Sequence, residues 1–142
     1  MIETLSQLIA QVESSGNNFA IRFEPAYHPN PARVATLARA CDLTYNTSEI
    51  LLACSWGCYQ IMGDNLVNMG LRVSPAAYCA SQDMQDKFFA EYCTRANCFY
   101  TLDEVISDEQ KRLYFAHQYN GPGNPQAYAA RMLAVYQEAK VQ

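Results

Sequence analysis

Short apolar stripes at helical spacing, cut repeatedly by Pro, Gly and Asn, constrain this chain most. Residues 2–13 put Ile2, Leu5, Ile9 and Val12 on one stripe, which stops at Ser14-Ser15-Gly16-Asn17. Pro31 suits a first helical turn, and the pattern after it runs to about Cys41. Residues 42–48 are polar and turn-like, and 49–70 read as mostly helical with a break at Ser55-Trp56-Gly57. Ser74-Pro75 opens a turn or short helix, and residues 81–96 carry Met84, Phe88, Phe89 and Tyr92 at helical spacing. Thr101 followed by Glu104 is a capping-box pattern. Asp108 to His117 reads as a helix, closed by the turn Asn120-Gly121-Pro122-Gly123. Pro125 then opens a final helix with Tyr128, Met132, Val135 and Tyr136. Only Phe19, Ile21 and Phe23 alternate as a strand does. The expected fold is therefore mainly α, with one minimal β-hairpin near residues 19–27.

At 142 residues the chain suits one domain spanning 1–142. A chain of this size buries roughly 68–70% of its unfolded surface, enough for a core without staples. The net charge is −4 and no Lys/Arg run occurs, so no nucleic-acid footprint is expected. The N-terminus has no basic segment ahead of a long apolar run, and no apolar stretch approaches ~20 residues. Synthesis in a cytoplasm without a signal peptide, and no stable membrane insertion, are the expectations. The six cysteines (41, 54, 58, 79, 93 and 98) contain no C-x-x-C, and His28 and His117 are the only imidazoles. No metal site and no cofactor are expected. The cysteines read first as small buried apolar residues. A Cys93–Cys98 disulfide becomes plausible only in an oxidising compartment.

Glu13 ends the first stripe just before the Ser/Gly/Asn break. A carboxylate against a core and open to a cleft is penalised when charged, which raises its pKa and suits a general acid. Two later segments carry chemistry of the same kind. Ser55-Trp56-Gly57-Cys58-Tyr59-Gln60-Ile61-Met62-Gly63 offers Gln60 as a neutral donor and acceptor, with Trp56 and Tyr59 as faces on which a sugar can stack. Tyr119-Asn120-Gly121-Pro122-Gly123 follows late in the chain.

With Glu13-Ser14-Ser15-Gly16, these segments resemble, in order, the "E-S-x-G", "G-x-x-Q-I-M" and "Y-N-G-P" motifs of the lysozyme-like superfamily. The likeness is strongest to phage and bacterial N-acetylmuramidase (endolysin) domains and covers about residues 5–138. Lytic transglycosylases are more distant relatives. The resemblance implies a lysozyme-like α+β fold, with the hairpin beside the active-site cleft. It also implies peptidoglycan as substrate, specifically the β-1,4 bond between N-acetylmuramic acid and N-acetylglucosamine. Glu13 matches the family's catalytic glutamate, and Tyr119 the tyrosine whose hydroxyl lies near it. Asn120 matches the asparagine that shapes the cleft floor. Phe23-Glu24 looks similar to a family "F-E", which makes Glu24 a candidate second carboxylate; an ion pair of Glu24 with Arg22 or Arg33 is the competing reading. A lytic transglycosylase giving 1,6-anhydro products and a non-catalytic virion component are the alternatives. Residues 29–54 match no motif. The acidic balance is unusual for an enzyme meeting an anionic wall, and points to local delivery, as by other phage virion proteins, over electrostatic capture.

Overall fold

The computed structural model describes residues 1–142 as nine helices and one three-stranded antiparallel sheet. Helix α1 spans Leu5–Ser14 and buries Leu5, Leu8, Ile9 and Val12. It starts three residues later than the periodicity predicts because Thr4 caps it. The Thr4 side chain accepts from the Gln7 amide, and the Gln7 side chain reaches back to the Thr4 amide. Ile2 still packs on the core from outside the helix. Ser15, in the left-handed region at φ 54°, ends α1 at once.

Three helices begin with the same device, an N-cap side chain followed by proline. They are α2 (Pro31–Cys41) after Asn30, α5 (Pro75–Cys79) after Ser74, and α9 (Pro125–Lys140) after Asn124. Between them lie α3 (Tyr45–Leu52), α4 (Gly63–Asn68), α6 (Gln82–Arg95), α7 (Leu102–Ser107) and α8 (Glu109–Asn120). Helix α3 begins inside the stretch expected to be a turn, because the Thr44 hydroxyl accepts from the Thr47 amide and caps it. The Thr101–Glu104 capping box forms on α7 as its spacing predicts.

The sheet departs from expectation in two places. Strand β1 (Ile21–Phe23) does not close a hairpin within residues 19–27. It pairs with β2 (Cys54–Trp56), in the register Ile21–Trp56, Arg22–Ser55 and Phe23–Cys54. The local hairpin is instead β2 with β3 (Ile61–Met62), inside the stretch expected to be mostly helical. Its turn depends on left-handed backbone at Gly57 (φ 78°) and Gln60 (φ 52°). A Cβ on Gly57 would stand 2.3 Å from the Gln85 Oε1 atom, so only glycine fits.

Two groups of elements pack around a continuous buried cluster. The sheet packs with α2, α3 and α4, while α9 lies against α8 and α1, and α7 against α8. The cluster includes Trp56, Tyr78, Phe115, Leu8, Ile9 and Met132, all fully buried. Ile21 and Phe23 stay exposed on the edge strand, as does Phe19 just before it.

Candidate active site

A cleft of about 370 Å³ opens between the two groups. It is lined by Glu13 from α1, Arg22 and Glu24 at β1, Ser55, Gln60 and Met62 from the hairpin, and Asn65 from α4. Tyr92 of α6 and Gln118 to Gly121 at the end of α8 complete it. A larger hollow of about 700 Å³ lies between the N-terminus and the end of α9, but its only carboxylate side chain is Glu138. No group of three or more His, Cys, Asp or Glu side chains is arranged to hold a metal.

Glu13 sits half-buried on the cleft wall, one residue from the end of α1. Its Oε1 accepts a 2.6 Å hydrogen bond from the Tyr128 hydroxyl. Burial raises its pKa above the ordinary carboxylate value, opposed first by the Tyr128 hydrogen bond and then by Arg131 and Arg22. The next residue, Ser14, shares its hydroxyl between the Ala10 carbonyl and, at 2.9 Å, the Cys58 carbonyl of the hairpin turn. The helix end that carries Glu13 is thereby tied to the opposite wall.

Glu24 lines the same cleft. Its amide donates to the Ala53 carbonyl at 2.9 Å, and its carbonyl accepts from Tyr27, so main-chain bonds fix where the side chain starts. Its Oε1 lies 3.1 Å from Arg22 Nε, an ion pair on the open side of the cleft. Arg33, the other candidate partner, pairs instead with buried Asp64 at 3.3 Å. Cleft placement and ion pair coexist, because Arg22 and Glu24 point to the same face of β1.

Gln60 also lines the cleft, but its amide is already engaged. Nε2 donates to the Ala20 and Gly57 carbonyls at 3.1 and 2.9 Å, and Oε1 accepts from Ser55 Oγ at 2.6 Å. The side chain joins the approach to β1 to the hairpin turn, so it builds the wall and offers no free N–H. Trp56 and Tyr59, expected to stack on sugars, are buried and do not line the cleft. Strand alternation is the reason: Ser55 faces the cleft, so Trp56 faces the core, where its Nε1 donates to the Leu51 carbonyl. Tyr59 packs on Phe89 and donates to Asp86.

Tyr119 and Asn120 both reach the cleft. The Tyr119 hydroxyl, expected beside Glu13, donates instead to the Tyr59 carbonyl at 2.7 Å, and its ring stacks on Phe115. The tyrosine bonded to Glu13 is Tyr128, one helix later. The sequence offers Tyr128 only as one of the spaced residues of the final helix, and the structure buries it there with Met132; nothing in a helical stripe reveals where a hydroxyl ends. Asn65 and Gln118 also line the cleft; each lies just outside a quoted motif, two residues after Gly63 and one before Tyr119, and adjacency to those motifs is the one signal that could have found them.

The N-acetylmuramidase family matches residues 22–140, a segment that begins after Glu13. The endolysin of Enterobacteria phage PRD1 is 31% identical over 128 residues, covering 83% of this chain and 86% of that one. No solved structure matches the chain. The family match runs from Arg22 within β1 to the end of α9, well over half of the chain, and the chain accordingly belongs to the N-acetylmuramidase family of peptidoglycan-degrading glycoside hydrolases.

Proposed function

We propose that this muramidase hydrolyses the β-1,4 bond between N-acetylmuramic acid and N-acetylglucosamine, with Glu13 as the general acid. The observation that carries the reading is a half-buried carboxyl on the cleft wall, whose burial favours the protonated form. Glycosidic cleavage needs a proton delivered to a poor leaving-group oxygen while positive charge grows at C1. Glu13 gives that proton to O4 of the departing glucosamine. Water adds its hydroxyl to C1 of the muramic acid and returns its proton to the carboxyl, leaving a reducing end. Glu24 is the group in the cleft suited to face the cationic centre or to orient the water. Arg22 is placed to hold it. Ser55, Asn65, Gln118 and Asn120 give the cleft neutral polar edges, which suit hydroxyl and acetamido groups.

The likeness to a phage endolysin supports action on the bacterial cell wall during phage lysis. No helix is long and apolar enough to cross a membrane. Carriage by virion proteins is the alternative setting, and the −4 charge favours some form of delivery to an anionic wall. Wall-lysis assays of wild type and Glu13→Gln test the reading. Loss of about 10²-fold or more is expected on removing a general acid, and unchanged lysis would sink it. Mass spectrometry of the digest should show reducing ends and no 1,6-anhydro ends.

A further inference from the structure

We propose that Tyr128 is the positioning residue for Glu13, pinning Oε1 from the protein side so that Oε2 carries the acidic proton into the cleft. This rests on the reading of Glu13 as the acid. The Tyr128 hydroxyl lies 2.6 Å from Oε1, a short charge-assisted distance, and Tyr128 itself does not line the cleft. Oε2 has no protein partner, so it is the oxygen left for substrate. The ring is held behind the carboxyl by burial on α9, beside the Tyr119 ring at 6.4 Å. Burial and the Glu13 carboxylate raise the Tyr128 pKa well above the ordinary value, so the hydroxyl stays a donor throughout the working range.

The bond has a second effect, on when the proton is present. Burial lifts the Glu13 pKa, and the Tyr128 hydrogen bond is the largest influence opposing it. Arg131, one turn further along α9, and Arg22 at β1 oppose it more weakly. The other titratable groups facing the carboxyl are Glu24 across the cleft, Tyr92 on α6 and Tyr119 on α8. Burial raises both tyrosine pKa values, which keeps those two neutral. Activity needs protonated Glu13, so it falls as pH rises through the Glu13 pKa. Removing the Tyr128 hydroxyl leaves burial less opposed and moves that alkaline limb to higher pH.

The test is the pH dependence of kcat and KM on solubilised peptidoglycan fragments, with folding checked by circular dichroism. Tyr128→Phe should shift the alkaline limb upward and lower kcat roughly tenfold to a hundredfold through lost orientation, with KM little changed. Arg131→Gln should shift the limb the same way while keeping kcat on the acid side. Should Tyr128→Phe fail to fold, 3-fluorotyrosine at position 128 keeps the ring and makes a stronger donor, so the limb should move down. An alkaline limb that coincides with wild type in the tested variant overturns the proposal. Full activity of Glu13→Gln overturns the underlying assignment of the acid instead.

Discussion

Gly57 has room for a hydrogen and nothing more. Its left-handed backbone and the Gln85 side chain together exclude a Cβ. Gln85 is fully buried and acts as a hub: its Oε1 accepts from the Cys58 amide at 2.8 Å, and its Nε2 donates to the Cys79 carbonyl at 3.0 Å. Gly57→Ala should therefore destabilise the fold by at least about 2 kcal/mol in a urea melt, from strain plus overpacking. Gln85→Leu leaves two buried backbone groups unpaired and should cost about 2–4 kcal/mol. At this scale the sequence was legible where placement follows from position along one element, as for Glu13 at the end of α1 on the cleft wall. It was illegible where a side chain's far end decides its role. Tyr119 and Tyr128 both look like helix tyrosines, and only the folded chain shows which hydroxyl meets the carboxyl.

Helices announced themselves because their signals are local. Asn30-Pro31, Ser74-Pro75 and Asn124-Pro125 each combine a cap with a preset φ, and each starts a helix. In the sheet, alternation marked β1 but not its pairing, because β1 finds its partner more than thirty residues later and each strand is at most three residues long. Pairing at that separation is set by what else packs, which no window of sequence contains. The loop after β1 is held by Asp64, whose Oδ2 accepts from the Tyr27 hydroxyl at 2.8 Å, the Asn30 amide at 3.4 Å and Arg33. Asp64→Ala should cost about 2–3 kcal/mol by releasing those donors. It should also lower lysis, since Glu24 begins the same loop. Thermal melts and a lysis assay on one preparation check both, and an unaltered melting temperature would refute the role given to Asp64.

Across the whole molecule, charge sets two further expectations. The Glu13 pKa is raised in the folded state, so its contribution to stability is fully present below the unfolded-state pKa and is lost as pH rises through the folded one. Glu13→Gln should therefore melt at a higher temperature than wild type near pH 8, with the gap closing toward pH 4. The candidate catalytic carboxyl is then a site where the fold gives up stability for activity. The net charge of −4 repels an anionic wall, and added salt screens that repulsion. The lysis rate should rise as ionic strength goes from about 0.01 to 0.15 M, where a basic enzyme would slow.

The Ser14 hydroxyl bridge to the Cys58 carbonyl has a consequence for how a polymer enters. It staples the helix end beneath Glu13 to the hairpin, so any motion that draws these two elements apart to admit a glycan strand has to break this bond first, at a cost of about 1 kcal/mol.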